Sequence, residues 1–231
     1  NYLNIASSIS KKGTPKRLIY NGVDVKIMNK WAKDSSNDIS NIVSNLHNDK
    51  IKCVYAGSLG MQGNNYDVEA LLKASIYFED KGVDFYIAGS GEGKKYLENE
   101  IKKNSLTNVF ILGNLNAKKL ARLYNFCDIG LALYGKGSNV DMPDKFYDYS
   151  SCGLAVISSL KGELKNVIEE NNLGYYYEAG NHNQLTDKLS LLIENNELLW
   201  SCKKNSKRIG FEYSTDVQFK KILSLIDEFN D

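Results

Sequence analysis

Short runs of β-forming residues alternate with amphipathic helical stretches along most of the chain, beginning at residue 51. The first pair is the run IKCVYA at residues 51–56 and a stretch at 66–80 whose apolar side chains recur with helical spacing. This alternation favours a parallel sheet with helices on both faces, because each crossover between parallel strands needs a long connection. The right-handed crossover rule then predicts a Rossmann-like, doubly wound α/β sheet of about six strands. Extra helices are predicted at the C-terminus, at about 184–194, 197–209 and 215–229.

The composition narrows the class of protein. Apolar residues make up 42% and charged residues 25% of the 231 residues, as in ordinary soluble domains. The formal net charge of +1 supplies no basic field for nucleic acid, and no apolar run approaches the roughly 20 residues of a membrane span. Four cysteines without a CxxC pair and only two histidines give little material for a metal site. We therefore expect a cytoplasmic protein that binds neither a metal nor nucleic acid.

Glycines follow three consecutive predicted strands. In an open parallel sheet, ligands bind outside the carboxyl ends of the strands, and glycine lets backbone N–H groups approach a phosphate closely. A tight βα turn would explain any one of these glycines, whereas three turns in a row favour a phosphate-binding edge. The residues predicted to bind there are Gly57, Ser58 and Gly60 after the first strand, Gly89 and Gly91 after the second, and Gly113, Asn114 and Leu115 after the third.

Two standard phosphate-binding motifs do not match. The run GSGEGK at residues 89–94 reads G-x-G-x-G, one residue short of the dinucleotide fingerprint. It also lacks the spacing and the Ser/Thr of a P-loop. An NAD-dependent oxidoreductase or a P-loop NTPase is therefore disfavoured.

The stretch NVDMPDKFYDYSSCGLAVI, residues 139–157, is the most informative. Pro143 is predicted to begin a helix, because its missing N–H would be unpaired at that position in any case. The free N–H groups and the positive dipole end of this helix would stabilise a pyrophosphate. Lys145 lies in the first turn, where a cation opposes the helix dipole, so it invites an anion; a solvated surface lysine is the alternative. Asp148, on the same helical face, would accept hydrogen bonds from a ribose diol.

Seven segments follow one another in order: NGVD, VYAGSLG, FYIAGSGEG, VFILGNL, LYNFCDIGLAL, MPDKFYDYSSCGLAVI and NNLGYYY, over about residues 18–200. Together they resemble the C-terminal domain of GT-B glycosyltransferases, in particular the large retaining family 4 with its bacterial capsule, O-antigen and exopolysaccharide members. The resemblance implies transfer of a sugar, with retention, from a nucleoside diphosphate sugar to a glycan or lipid-linked acceptor. A UDP-sugar is the first candidate donor, and no metal cofactor is implied.

The resemblance also implies roles for individual residues. Asp148 occupies the position of the family's ribose-binding acid, with Asp in place of the usual Glu. Val140 stands where a second acid should contact the sugar, and the adjacent Asp141 is expected to substitute for it. Ser58 replaces an arginine that ordinarily neutralises the diphosphate. Lys145, the backbone N–H groups of residues 57–60 and the helix beginning at Pro143 are therefore expected to stabilise the departing diphosphate.

The start of the chain suggests a piece of a larger enzyme. The NGVD segment at residues 21–24 ordinarily follows the interdomain linker of that family, and no methionine precedes Met28. We therefore expect the N-terminal acceptor domain to be missing and the fragment alone to be inactive. The predicted segments are an interdomain linker remnant at 1–24, a polar linker with a weak helix (39–47) at 25–50, the Rossmann-like nucleotide-sugar-binding domain at 51–214 and a C-terminal bracing helix at 215–231.

Alternatives stay open at this point. The chain would also suit a non-catalytic nucleotide-sugar-binding module that needs a separate partner chain, or a sugar-nucleotide 2-epimerase-like protein. A basic stretch that includes Lys203, Lys204, Lys207 and Arg208 would allow a peripheral contact with anionic lipid at the inner face of the cell membrane.

Overall fold

Six parallel strands form one sheet in the computed structural model, which describes residues 6, 8–11, 13–34, 39, 49–60 and 66–230. They are β1 (Ile51–Ala56), β2 (Val83–Ala88), β3 (Val109–Gly113), β4 (Ile129–Ala132), β5 (Ala155–Ser158) and β6 (Gly174–Tyr176). Their order across the sheet is β3-β2-β1-β4-β5-β6, which is the doubly wound Rossmann order. The predicted fold class is therefore confirmed.

Helices cover both faces of this sheet. Those with described bounds are α1 (Val25–Lys33), α2 (Val68–Tyr77), α3 (Gly93–Lys103), α4 (Ala117–Phe126), α5 (Asp144–Cys152), α6 (Glu163–Glu170), α7 (His182–Ile193), α8 (Asn196–Glu212) and α9 (Thr215–Asn230). Asp or Asn side chains cap the N-termini of α1, α2, α4, α7 and α8, each by accepting a backbone N–H bond.

The strands alternate their side chains between two apolar clusters, as strand geometry requires. Val54, Tyr86 and Val156 point into one cluster. Tyr55, Phe85 and Ile157 point into the other, on the opposite face of the sheet. Burial on both faces explains why these strands consist largely of apolar residues.

The segment predicted as a polar linker begins with a packed helix instead. Helix α1 is capped by Asp24 and buries Val25, Met28 and Ala32. The Arg122 guanidinium of α4 donates a 2.9 Å hydrogen bond to the Ala32 carbonyl, which ties α1 to the domain. The prediction of a linker was wrong for this part because three apolar residues at helical spacing are enough to dock a short helix. Of the weak helix predicted at 39–47, Ile39 is buried and the other residues lie outside the described part of the chain.

Tyr149 of α5 connects the two strands at the centre of the sheet. β1 pairs with β4 only at Cys53 and Val54, so the strands separate toward their carboxyl ends. In that gap the Tyr149 hydroxyl accepts a hydrogen bond from the Ala56 N–H at 3.0 Å and donates one to the Leu131 carbonyl at 3.3 Å. The ring occupies the space over Gly130, where a Cβ atom would come within 2.4 Å of it. This contact sets the depth of α5 against the sheet.

Helix α8 packs closely against α5. A Cβ atom on Gly210 would lie 2.7 Å from the backbone of Ser150, so the two helices touch through their backbones. The Lys207 ammonium donates to the Ser151 carbonyl and, at 2.7 Å, to Asn29 Oδ1. These bonds satisfy a carbonyl at the C-terminal end of α5.

The basic stretch of α8 is largely engaged in such contacts. Lys203 forms a 2.6 Å ion pair with Asp128, and Arg208 forms one of 2.6 Å with Glu212 on its own helix. Lys204 is exposed and lies 5.3 Å from the Trp200 ring. Three of the four cations of this stretch thus have intramolecular partners, while Lys204 and Arg208 remain exposed at the surface. No helix of the described residues is long and apolar enough to cross a membrane.

Replacement of Gly210 by Ala is expected to lower the free energy of unfolding by about 1–3 kcal/mol, because the added methyl group overpacks the α5–α8 contact. Urea unfolding measures the change. Gly137→Ala is the matched control, since a Cβ atom there meets open space. Equal stability of the two variants would contradict the close helix contact.

Replacement of Tyr149 by Phe is expected to lower the free energy of unfolding by about 1–3 kcal/mol, because it leaves the buried Ala56 N–H without its acceptor. Tyr96→Phe serves as the control because that side chain is exposed. The hydrogen-bond account fails if thermal unfolding of the two variants shows the same small shift.

Candidate functional site

A cleft of about 670 Å³ opens at the carboxyl edge of the sheet, beside the point where β1 and β4 separate. Crossovers run in opposite directions from this switch point, which leaves room between the turns for a ligand. The predicted site residues that line the cleft are Gly57, Ser58, Gly89, Asn114, Leu115, Pro143, Lys145 and Asp148. The tertiary structure thus brings together residues from four separate loops and one helix.

Helix α5 begins at the floor of this cleft. Pro143 is its N-cap residue, and no side chain caps the helix. The N–H groups of the first turn are the usual donors for an anion, and the helix dipole adds a partial positive charge at this end. The helix start predicted at Pro143 is therefore observed, and it lies in the lining of the cleft.

Lys145 carries its ammonium into an unusual environment for a cation. The Nζ atom is buried and has no hydrogen-bond partner among the described residues. It lies 4.5 Å from the ring centre of Tyr55, 4.7 Å from that of Tyr134 and 5.3 Å from that of Tyr66. Burial lowers the pKa of this amine to about 7. An anion in the cleft would supply the charge partner that the protein itself does not provide.

Asp148 follows Lys145 by one turn and also lines the cleft. Burial, and secondarily the nearby carboxylate of Asp144, raise the pKa of Asp148 to about 6. At neutral pH most of the carboxyl groups are ionised and can accept hydrogen bonds from neighbouring hydroxyl groups. A ribose diol is a ligand of suitable chemistry.

The glycines after β1 and β2 hold two turns against each other. The Gly57 and Leu59 N–H groups donate 2.9 Å hydrogen bonds to the carbonyls of Ala88 and Ser90. A Cβ atom on Gly89 would come within 1.9 Å of the Gly57 oxygen, and one on Gly91 within 2.3 Å of the Leu59 oxygen. The amides of Gly57 and Leu59 are therefore already occupied, which corrects the expectation that they bind a diphosphate. Close packing of the turns is the reason for glycine at these positions.

Four predicted residues do not line the cleft: Gly60, Gly91, Gly113 and Asp141. Gly113 has a φ of +68° and ends β3, where its carbonyl accepts the Gly89 N–H at 2.8 Å. Asp141 lines an adjoining pocket of about 610 Å³ beside Glu163, whose carboxylate accepts a 2.7 Å bond from the Tyr20 hydroxyl. The structure therefore separates Asp141 from the pair formed by Lys145 and Asp148.

The sequence reasoning missed several aromatic and polar residues of the cleft. Tyr66, Tyr124 and Tyr134 line it, as do Asn21 and Asp144. Tyr134 is the last residue of the apolar run IGLALY, just beyond the carboxyl end of β4. Because ligands bind at that edge of the sheet, this position in the sequence could have identified Tyr134 as a site residue. Across the described ranges there is no group of three or more His, Cys, Asp or Glu side chains placed to hold a metal ion.

Comparison with known sequences identifies the family. The sequence profile of the family described as glycosyl transferases group 1 matches residues 38–209, more than half of the chain. An uncharacterized glycosyltransferase of Methanocaldococcus jannaschii is 23% identical over 251 residues, which cover 100% of this chain and 71% of the relative.

Solved structures with the same fold include Anabaena HepE in complex with UDP, at a TM-score of 0.74 and 18% identity. That match covers 92% of this chain and 57% of HepE, which has also been solved with UDP-glucose. The C-terminal domain of the group 1 glycosyl transferase LpcC from Francisella tularensis matches at a TM-score of 0.66 and 18% identity, over 84% of this chain and 100% of that domain. The chain thus spans a little more than half the length of HepE. The present chain belongs to the group 1 family of glycosyl transferases and has the fold of a GT-B C-terminal domain.

Proposed function

We propose that this chain is the donor-binding domain of a retaining glycosyltransferase that uses a UDP-sugar. The observation that carries the proposal is the buried Lys145 ammonium, which has no hydrogen-bond partner in the described residues and lies at the uncapped N-terminus of α5. Both features attract a diphosphate. The UDP and UDP-glucose complexes of HepE, which shares the fold, support uridine diphosphate as the first nucleotide to test.

Each named residue has a defined task in this proposal. The bond between the anomeric carbon and the β-phosphate oxygen breaks, and its electron pair leaves with the diphosphate. An acceptor hydroxyl oxygen forms the new bond to the anomeric carbon, and its proton passes to the departing phosphate oxygen. The Lys145 ammonium and the N–H groups of the first turn of α5 stabilise that developing negative charge. Asp148 accepts hydrogen bonds from the ribose hydroxyls and so fixes the position of the nucleotide. No metal takes part in these steps.

Retention requires the acceptor to approach the anomeric carbon on the face from which the diphosphate departs, and an N-terminal domain is proposed to bind this acceptor. The 231-residue chain alone is therefore expected to bind the donor and to leave it intact. We further propose a glycan or lipid-linked acceptor of bacterial surface polysaccharide synthesis, such as capsule or lipopolysaccharide. Any peripheral membrane contact is proposed to use the basic stretch of α8, where Lys204 and Arg208 are exposed at the surface.

Calorimetric titration with UDP, GDP and ADP tests the donor site. Lys145→Ala is expected to weaken UDP binding by about 2–3 kcal/mol, roughly 30- to 150-fold, because it removes a charge-assisted bond to the diphosphate. Asp148→Ala is expected to cost less, about 1 kcal/mol, since it removes bonds to neutral hydroxyl groups.

Lys103→Ala is the control for loss of a positive charge, because that ammonium is exposed and paired with Glu100 at 3.2 Å. Its UDP affinity is expected to equal that of the wild type. Negligible binding of all three nucleotides by the wild-type chain would overturn the proposed function. Equal losses in the Lys103 and Lys145 variants would overturn the role of Lys145.

Lys145→Met is expected to raise the free energy of unfolding at pH 7 by about 1–2 kcal/mol while it weakens UDP binding. The thioether side chain fills similar space without the desolvation penalty of a buried amine that has no hydrogen-bond partner. Urea unfolding and calorimetry on the same preparation measure both quantities. A lysine that served only the fold would give the reverse result, lower stability with unchanged binding.

A further inference from the structure

Three tyrosine rings surround the ammonium of Lys145 where a carboxylate would ordinarily be found. The rings of Tyr55, Tyr66 and Tyr134 reach it from three different segments of the chain, with centroid distances between 4.5 and 5.3 Å. These distances lie within the range of cation–π attraction. Gly57 forms the remaining wall, since a Cβ atom there would lie 2.9 Å from Nζ.

The rings are held in place by contacts that need no ligand. The Tyr55 hydroxyl donates a 2.6 Å hydrogen bond to the Ser58 carbonyl, and the side chain is fully buried. The Tyr134 backbone is bonded twice to the Ser159 hydroxyl, as donor at 2.7 Å and as acceptor at 2.8 Å. Tyr66 pairs with Tyr134 through a β-bridge, and their ring centres are 5.5 Å apart. The surroundings of Lys145 are therefore built before a ligand arrives.

No charged side chain among the described residues forms a hydrogen bond with the Lys145 ammonium. From α5, Asp144 and Asp148 line the same cleft, yet neither accepts a hydrogen bond from the ammonium. From β1, from the segment before α2 and from the end of β4, the facing groups are the three tyrosines. Burial is the cause that lowers the pKa of Lys145, without a contribution from a neighbouring charge. A carboxylate partner would neutralise the cation, whereas an aromatic face attracts it and leaves its charge in place.

We infer that Tyr55, Tyr66 and Tyr134 form an aromatic seat that positions the Lys145 ammonium for the donor diphosphate, and that binding of the diphosphate draws a proton onto Lys145. The inference rests on the proposed function, because it assumes that a diphosphate occupies the cleft. The tyrosines are positioning residues in this account, since they act through Lys145. Ser58 lines the same cleft without contributing a charge, so Lys145 supplies the positive charge in this account.

The sign of the pH dependence follows from the two states of Lys145. In the free protein the amine has a pKa of about 7, so the ammonium form becomes scarce as the pH rises above that value. A bound diphosphate favours the ammonium and raises its pKa, so the complex holds more protons than the separate partners. Affinity must then fall as the pH rises from 7.5 to 9. Asp148, with a pKa of about 6, titrates below this window, and burial places the pKa values of Tyr55 and Tyr134 far above it.

Titration of the 231-residue chain with UDP between pH 7.5 and 9 tests the proton uptake. The diphosphate group of UDP is almost fully ionised there, because the last phosphate ionisation has a pKa of about 6. The affinity of the wild type is expected to fall about tenfold or more across the window, as a single linked proton requires. Calorimetry in two buffers of different ionisation enthalpy should show uptake of up to about one proton per UDP. Lys145→Arg is expected to bind with little pH dependence, because guanidinium stays charged.

Tyr134→Leu and Tyr134→Phe test the seat. The Leu variant loses a ring face and is expected to bind UDP about 5- to 30-fold more weakly at pH 8, with its loss of affinity beginning at lower pH. The Phe variant keeps the ring and is expected to stay within about threefold of the wild type. A purely structural role for Tyr134 would lower affinity equally at every pH and would leave the midpoint unchanged.

The outcomes separate the two proposals. Failure of the wild type to bind UDP at any pH would overturn the proposed function. UDP binding that depends on Lys145 but is independent of pH and of the ring at position 134 would overturn the aromatic seat alone. If Tyr134→Leu does not fold, as judged by circular dichroism, the proton count of the wild type and the Lys145→Arg profile still decide the inference.

Discussion

The hydroxyl group of Tyr149 makes the contact on which the binding edge of this domain depends. It lies where β1 and β4 part, and it replaces the missing ladder bond by accepting the Ala56 N–H and donating to the Leu131 carbonyl. A buried backbone N–H needs an acceptor, so the strands can separate here only because a side chain from α5 supplies one. The same ring rests on Gly130, which sets how deeply α5 approaches the sheet. The position of Lys145, one turn earlier on α5, follows from that depth.

The cleft concentrates interactions that oppose stability. A buried amine without a hydrogen-bond partner and a carboxylate with a raised pKa lie on the same short helix, while its other side is clamped by α8 through Gly210 and Lys207. Desolvation penalises the charged forms of both Lys145 and Asp148. The surrounding contacts of α5 are close enough to hold both groups in place. This arrangement is typical of a binding site, since the ligand supplies the partners that the free protein lacks.

The comparison with HepE illustrates how little of the fold depends on particular side chains. At 18% identity the two chains share a TM-score of 0.74, because the architecture requires apolar strands, amphipathic helices and glycine where turns meet. The ligand contacts can vary more. In this chain Ser58 lines the cleft from the turn after β1, and two N–H groups of that turn donate to carbonyls of the turn after β2. Among the described residues, Lys145 is the only lysine that lines the main cleft. The cationic side chain that lines this cleft is therefore carried by α5.

Local patterns were sufficient to predict the six strands, the helix that begins at Pro143 and the cleft positions of Lys145 and Asp148, because periodicity, turn residues and the carboxyl-edge rule each operate over short stretches. Only the tertiary structure decided the rest. In the folded chain α1 packs on the domain, and the Gly57 and Leu59 N–H groups donate hydrogen bonds to the neighbouring turn. Asp141 lines a separate pocket, and basic side chains of α8 form intramolecular ion pairs. Three tyrosines surround Lys145. These features depend on contacts between distant residues, such as Tyr149 and Ala56, which are 93 positions apart, and no local pattern encodes which distant side chain fills a given gap.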